Sequence, residues 1–255
     1  NNVDYIANHR SKVLDGLGRL IGQKGATGSY KDVGNSEAIL LVSSNVTEEQ
    51  NVAAVPVKRA VKAGSKLVVI DSREVEMTRY ADIWLRPLPG TEMVIVAAML
   101  RVISDESWEN HGFLNDNCEG LIEYKNSLWA FDLKKVSKIS GVSEDDIRRA
   151  ARTVATQGKT SILYALDNMG IQSQDEMVQA LINLAMVTGS LGSNEGGVFP
   201  LLAGANQQGA SDLGCTPDTL PGSTTLQNVS HNTVLEGLWG TKLPDASGLG
   251  TIRMI

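Results

Sequence analysis

The chain contains little cysteine. Cys118 and Cys215 are the only two among 255 residues, and no CxxC pair is present. Structural zinc sites and cysteine-ligated iron–sulfur clusters both need several closely spaced thiols, so the sequence predicts neither in this chain. A low cysteine content is typical of a reducing compartment. We interpret both thiols as small buried side chains rather than reactive groups.

Several other signals are also missing. There is no apolar run of about 18 residues, and the N-terminal stretch NNVDYIANHR has no apolar signal region. These absences predict no direct membrane insertion. A net charge of -6 argues against a nucleic-acid partner, because phosphate binding needs a basic patch. The three histidines show no metal-ligand spacing and no nucleophile has a local signature, so we predict no metal site and no catalytic residue. Because no initiator Met is present, we expect a fragment of a longer protein.

The clearest pattern is a strand–helix–strand unit between residues 38 and 73. Ala38–Ser43 is a short apolar run typical of a strand buried on both faces. Val52–Ala63 has helical periodicity and stops at Gly64, and Lys66–Asp71 is a second buried strand. A connection of this kind requires the two strands to be parallel.

The rest of the pattern extends this unit into an α/β fold, a three-layer αβα sandwich with a mostly parallel, doubly wound sheet. We predict further helices at 13–21, 75–81, 91–103 and 177–187, further strands at 83–86 and 161–165, and a loop at 22–35. From Ser190 onward, Gly, Pro, Ser, Thr and Asn dominate and strong periodicity disappears, so we expect no further regular element there. We therefore predict one αβα domain over residues 1–204 and, over 205–255, an incomplete part of a neighbouring domain.

Polar residues follow the first predicted strand, where a helix should begin. Ser44, Asn45 and Thr47 lie at this point. Unpaired backbone N–H groups at a helix N-terminus attract anions, and small polar side chains add hydrogen bonds to a phosphate. The alternative is that Asn45 or Thr47 only caps the helix.

We call the polar residues that directly follow a strand its polar tip. Two more such tips follow the next two predicted strands. In Asp71-Ser72-Arg73, a carboxylate can accept hydrogen bonds from a ribose diol or from the N–H edge of guanine, and an arginine can stack on a base or bind a phosphate. The turn Pro89-Gly90-Thr91-Glu92 repeats this placement one strand later. The alternative is that Asp71 caps the next helix and Arg73 is solvated. Ligands bind beyond the carboxyl ends of parallel strands, so we expect the three tips to share one crevice. There is no GxGxxG and no GxxxxGK[ST] motif to assign a standard dinucleotide or P-loop site.

These stretches resemble one family across nearly the whole chain. The matching segments are SNVTEEQNVAAVPVKRAV, KLVVIDSREVEMTRYADIWLRPLPGTE, LINLAMVTGSLG and QQGASDLGCTPDTLPG. They are similar to the catalytic subunits of molybdopterin oxidoreductases, especially formate dehydrogenase alpha subunits and the molybdopterin-type subunit of NADH–quinone oxidoreductase (respiratory complex I). The resemblance implies the central-domain fold of the formate dehydrogenase and DMSO reductase type. It also implies that Ser44, Asn45, Asp71-Ser72-Arg73 and Gly90-Thr91-Glu92 bind one guanosine end of molybdopterin guanine dinucleotide.

The resemblance also has departures. Active formate dehydrogenases carry a molybdenum-binding Cys or selenocysteine followed by His, whereas the corresponding stretch here reads Ala7-Asn8-His9-Arg10-Ser11. This favours a non-catalytic relic site like that of the complex I protein, in a cytoplasmic redox complex with other subunits, and with iron–sulfur clusters only outside this chain. Those subunits could hold it at the inner face of the membrane. One alternative is an active formate dehydrogenase with His9 or Ser11 as ligand. Another is a guanine-nucleotide module without redox chemistry.

Overall fold

The computed structural model describes residues 2–4, 13–166, 169, 171–202 and 206–250. Contacts divide the chain into two compact units. One unit runs from Val13 to Leu201 and contains the large sheet. The other joins the N-terminal residues to the segment from Leu202 onward. The domain boundary after residue 204 stays a prediction.

The larger unit is built on a five-stranded parallel sheet with the order β3-β2-β1-β4-β5. Its strands are β1 Ala38–Val42, β2 Lys66–Ile70, β3 Ile83–Leu85, β4 Thr160–Tyr164 and β5 Gly197–Pro200. The chain moves outward from β1 to β3, then returns to the other side of β1 for β4 and β5. This reversal makes the sheet doubly wound, as predicted, and creates a switch point between β1 and β4.

Helices cover both faces of the sheet and complete the three-layer sandwich. The helices of this unit are α1 Val13–Ile21, α2 Tyr30–Asn35, α3 Val46–Glu49, α4 Asn51–Ala63, α5 Glu92–Asp105, α6 His111–Asn117, α7 Leu121–Ser127, α8 Leu133–Ser140, α9 Glu144–Thr156 and α10 Ile171–Val187, with 3₁₀ helices at Glu76–Tyr80 and Leu128–Ala130. Helices α2 and α4 pack together over one face, where alternate strand residues such as Ile39, Leu67 and Leu163 are buried. Helices α9 and α10 pack on the opposite face, and α5 packs against both of them.

Local sequence explains where several helices begin and end. Helix α4 stops because Gly64 adopts a left-handed φ of 114°, which glycine tolerates without a Cβ penalty. Helix α9 begins at Ser143, whose hydroxyl oxygen accepts the Asp146 N–H at 3.1 Å. Ser143 is therefore the N-cap of this helix, whose first residue is Glu144.

The smaller unit contains more regular structure than the sequence predicts. It holds α11 Gln207–Asp212, α12 Val229–Trp239, and a short antiparallel pair, β6 Thr219–Leu220 with β7 Thr224–Thr225. The expectation of no regular element in this segment is therefore wrong. Helix α12 escapes the periodicity test because Val229, Val234 and Leu238 are exposed and only Leu235 is buried, so no apolar stripe marks a core face.

Two further expectations within the larger unit are wrong. Strand β5 lies beyond Ser190 and pairs with β4, although its four residues GVFP begin with Gly and end with Pro. Pro is tolerated there because β5 is an edge strand. Residues 30–35, predicted as loop, form α2, because the Asp32 carboxylate accepts the Ser29 N–H at 2.6 Å and the Ser29 hydroxyl at 2.8 Å.

Candidate functional site

The carboxyl ends of four neighbouring strands open into one cleft of about 420 Å³. Its lining residues follow β1, β2, β3 and β4: Ser43, Asp71, Ser72, Arg73, Pro89, Gly90, Glu92, Met169 and Ser173. The cleft therefore spans the switch point between β1 and β4. This is the place where open α/β sheets bind their ligands.

The loop after β2 supplies a buried carboxylate. Asp71 is only 3% exposed, and its Oδ1 accepts the backbone N–H of Arg73 at 2.8 Å. The Arg73 guanidinium lies 3.4 Å from the same oxygen, with 48% of its side chain exposed. Asp71 thus closes a local turn with its own loop, and Arg73 places one positive charge beside it at the solvent side.

The turn after β3 supplies a second acid. Glu92 is the first residue of α5 and is 6% exposed, and its Oε2 has no hydrogen-bond partner among the described residues. A buried carboxylate oxygen without a partner is costly, so it is suited to a ligand that brings a donor. Gly90 has a left-handed φ of 87°, and a Cβ built there would meet nothing within 4 Å. The backbone at Gly90 therefore leaves open space next to the acid.

The end of β1 contributes a different serine from the predicted one. Ser43 lines the cleft and holds an unusual φ of 49°, whereas Ser44 is fully buried and its Oγ has no partner among the described residues. Asn45 stands at the N-cap position of α3 but makes no side-chain cap bond, and its Oδ1 accepts from the Thr47 hydroxyl at 3.3 Å. Thus Ser44, Asn45 and Thr47 are not among the residues that line the cleft.

Thr91 also lies outside the cleft lining. It stands at the N-cap position of α5, but its hydroxyl donates to the Leu88 carbonyl at 2.6 Å instead of capping the helix. This bond closes the turn that carries Gly90 and Glu92. Thr91 therefore supports the turn from its outer side.

The chain matches the family model for molybdopterin oxidoreductases over residues 4–242. The chain belongs to the molybdopterin oxidoreductase family. It is 32% identical over 256 residues to the F420-dependent formate dehydrogenase subunit alpha of Methanocaldococcus jannaschii, covering 100% of this chain and 38% of that protein. It is 31% identical to formate dehydrogenase H of Escherichia coli, covering 97% of this chain and 35% of that protein.

The chain is also similar to two further proteins. It is 30% identical to the NADPH-Fe(3+) oxidoreductase subunit alpha of Geobacter sulfurreducens, covering 91% of this chain and 27% of that protein. Acetylene hydratase from Pelobacter acetylenicus has a TM-score of 0.59 at 24% identity, over 73% of this chain and 29% of its own. That likeness concerns the fold alone. This chain spans 38% or less of the length of all these proteins.

Besides Ser43, the cleft contains two residues after β4 that were not predicted from the sequence. Met169 and Ser173 follow β4 and line the cleft on the far side of the switch point. The buried side chain of Gln174 donates to the carbonyls of Leu166 and Met169, both at 3.0 Å, and so fixes this loop. Their position after β4 was the signal that could have identified them, because residues that follow β4 lie next to the end of the neighbouring strand β1.

Some expectations concern residues outside the described part of the chain. His9 and Ser11, the alternative molybdenum ligands, lie there. Among the described residues, no cluster of three or more His, Cys, Asp or Glu could hold a metal ion. Within the same residues, no helix has both the length and the apolarity needed to cross a bilayer.

Proposed function

We propose that residues 13–201 hold the guanosine end of molybdopterin guanine dinucleotide in the cleft of an oxidoreductase subunit. The observation that carries this proposal is the unpaired Oε2 of Glu92, which lines a cleft shared with Asp71 at the ends of parallel strands. Family membership implies a molybdopterin cofactor. The guanosine end is our assignment from the chemistry of the cleft.

The residues present fit such a group. Guanine offers adjacent N–H donors and ribose offers two hydroxyl donors, and both match carboxylate acceptors. Glu92 and Asp71 would accept these bonds, Arg73 would stack on the base or meet a phosphate, and Gly90 would leave room for close approach. When bound, the cofactor supplies the metal at which oxidation and reduction occur.

Calorimetric titration of the full chain with GDP and with ADP tests this assignment. GDP is the probe because it carries the guanosine and its first two phosphates. We expect GDP to bind at least about tenfold more tightly than ADP, because a site built for donors leaves buried acceptors unpaired when they are missing. Equal binding of the two nucleotides, or no binding of either, would overturn the assignment.

We further propose that the site is non-catalytic for formate in this protein, as in the molybdopterin-type subunit of NADH–quinone oxidoreductase. The supporting observation is that the stretch Ala7-Asn8-His9-Arg10-Ser11, which the resemblance places at the molybdenum-binding residue, contains no cysteine. Molybdenum and pterin analysis of the full-length protein, combined with a formate assay, tests this point. Pterin without formate turnover supports it, whereas stoichiometric molybdenum with turnover would make the protein a formate dehydrogenase like the relatives it matches. GDP binding without any pterin would instead favour a plain guanine-nucleotide module.

We also propose that the protein works in the cytoplasm with partner subunits, and that its iron–sulfur clusters lie only outside this chain. Two of the relatives are named as alpha subunits, which supports the presence of partners. The low cysteine content supports a reducing compartment and leaves the clusters to other segments or subunits. Purification of the native complex, with iron analysis of its components, tests both statements.

A further inference from the structure

Two side chains that extend from β3 hold the loop after β2 from outside the cleft. The indole N–H of Trp84 donates to the backbone carbonyl of Asp71 at 2.9 Å. The Nε–H of Arg86 donates to the backbone carbonyl of Ser72 at 3.2 Å. The Arg86 guanidinium also lies 5.3 Å from the centre of the Trp84 ring, so the two side chains support each other through a cation–π contact.

The loop has few other anchors. The Asp71 N–H donates to the carbonyl of Leu85 at 3.2 Å, and β3 is an edge strand of three residues. Among the described residues, the other hydrogen bonds of the loop are internal, between Asp71 and Arg73. A short edge strand opens more readily than a central one. The position of the Asp71 carboxylate therefore depends on the bonds that β3 and its flanking residue make to the loop.

We propose that Trp84 and Arg86 are positioning residues that fix the Asp71-Ser72-Arg73 loop for the nucleotide. Neither side chain lines the cleft, so they act through the loop. A carboxylate that is already held in its binding position loses less freedom when the ligand arrives, which strengthens binding. This inference rests on the proposed guanosine site, and its test separates the two.

The first test removes one donor at a time in the full chain. Trp84→Phe keeps an aromatic ring but has no N–H, and Arg86→Met keeps the length but has no donor or charge. We expect each variant to bind GDP about 3- to 10-fold more weakly, the effect of one lost hydrogen bond. Arg86→Lys keeps one donor and the cation, so it should recover most of the affinity. A merely structural role would not give this rescue.

Trp129 offers a matched control. Its ring is 70% exposed and lies under the Arg101 guanidinium at 4.0 Å, a similar pairing, but it does not line the cleft. Trp129→Phe should leave the GDP affinity unchanged. The thermal midpoints of the Trp84 and Arg86 variants should stay within about 4 °C of the wild type, which corresponds to a loss of about 1 kcal/mol in a chain of this size.

Hydrogen exchange without any ligand keeps this inference separate from the proposed function. The Asp71 and Arg73 amides should exchange about 10-fold faster in Trp84→Phe and Arg86→Met, but not in Trp129→Phe, because the loop opens locally. If the wild type binds GDP and the variants bind it equally, the positioning role is wrong and the guanosine site stands. If the wild type binds no GDP, the guanosine site is wrong, and unchanged exchange at these amides would also rule out the holding role.

Discussion

Replacing Glu92 by Gln separates the proposed binding role of this acid from its effect on helix α5. Glu92 is the first residue of the helix, it is almost fully buried, and its Oε2 has no partner among the described residues. Gln has nearly the same shape but carries no charge, and it replaces one acceptor oxygen with an NH₂ donor. A ligand that donates two hydrogen bonds to the acid would lose at least one of them.

The two expected effects differ in size and in sign. A hydrogen bond to a charged group contributes about 1.5–3 kcal/mol, so the affinity for GDP should fall about 10- to 150-fold. In the free protein, losing a negative charge at a helix N-terminus costs about 0.3–1 kcal/mol. Relief of a buried, unpaired carboxylate oxygen contributes about 1–3 kcal/mol in the opposite direction. The free variant should therefore be as stable as the wild type or up to about 3 kcal/mol more stable.

Calorimetry with GDP and urea unfolding without ligand measure the two effects. Glu144→Gln is the matched control, because Glu144 is the first residue of α9 and does not line the cleft. It should lose about 0.3–1 kcal/mol of stability with no change in affinity. If Glu92→Gln bound GDP as tightly as the wild type, Glu92 would not be a nucleotide ligand.

Three other predictions concern stability and reactivity. Tyr164 is fully buried, burial raises its pKa, and its hydroxyl has no partner among the described residues. Tyr164→Phe should therefore increase the free energy of unfolding by about 1 kcal/mol, which would be measured as a higher urea midpoint. Burial opposes the shift at Asp82, but hydrogen bonds from Lys66 and from the Leu67 N–H lower its pKa. The ionised Asp82 carboxylate therefore contributes its full stabilisation above the ordinary Asp pKa, and this contribution disappears as the pH falls through the lower pKa of the folded protein. Asp82→Asn should cost less than about 1 kcal/mol of stability at pH 7 and nothing in strong acid. Burial also raises the pKa of Cys118, so its alkylation by iodoacetamide should have a pH midpoint above that of a free thiol.

Each of these three has a contrary result that would decide against it. A lower urea midpoint for Tyr164→Phe would mean that the hydroxyl has a partner in solution. A stability loss for Asp82→Asn that stayed constant into strong acid would show that packing, not ionisation, explains the effect. If Cys118 were alkylated at the rate and with the pH midpoint of a small free thiol, burial would not raise the pKa of its thiol.

Strands β1 and β2 were predicted well because they are buried runs, and the helix between them ends at an unambiguous stop signal. Strands β1 and β2 are apolar throughout their buried length, and Gly64 ends the helix between them. Strand β5 lacks this property, because four residues with Gly and Pro at the ends have no measurable period. Its place in the sheet comes from pairing with β4, a tertiary effect that no local pattern contains.

The site also combines features that local sequence predicts with features that depend on the folded backbone. Strand ends can be located from sequence, so the cleft does bring together Asp71, Gly90 and Glu92 from the predicted tips. Side-chain direction beyond a strand end depends on the backbone angle at one residue. The positive φ at Ser43 turns that residue toward the cleft and leaves Ser44 in the interior, and serine gives no warning of it.

The charges of the cleft indicate which part of a dinucleotide belongs there. Asp71 and Glu92 bring two negative charges and Arg73 brings one positive charge, so the acids outnumber the cation. A pyrophosphate placed between two buried carboxylates would be repelled, whereas a base or a ribose would offer the donors that these oxygens need. Helix α3, which follows Asn45, has only four residues, so its dipole gives little compensation for a phosphate. These charges support our proposal that the nucleoside end of the cofactor, rather than its pyrophosphate, occupies this cleft.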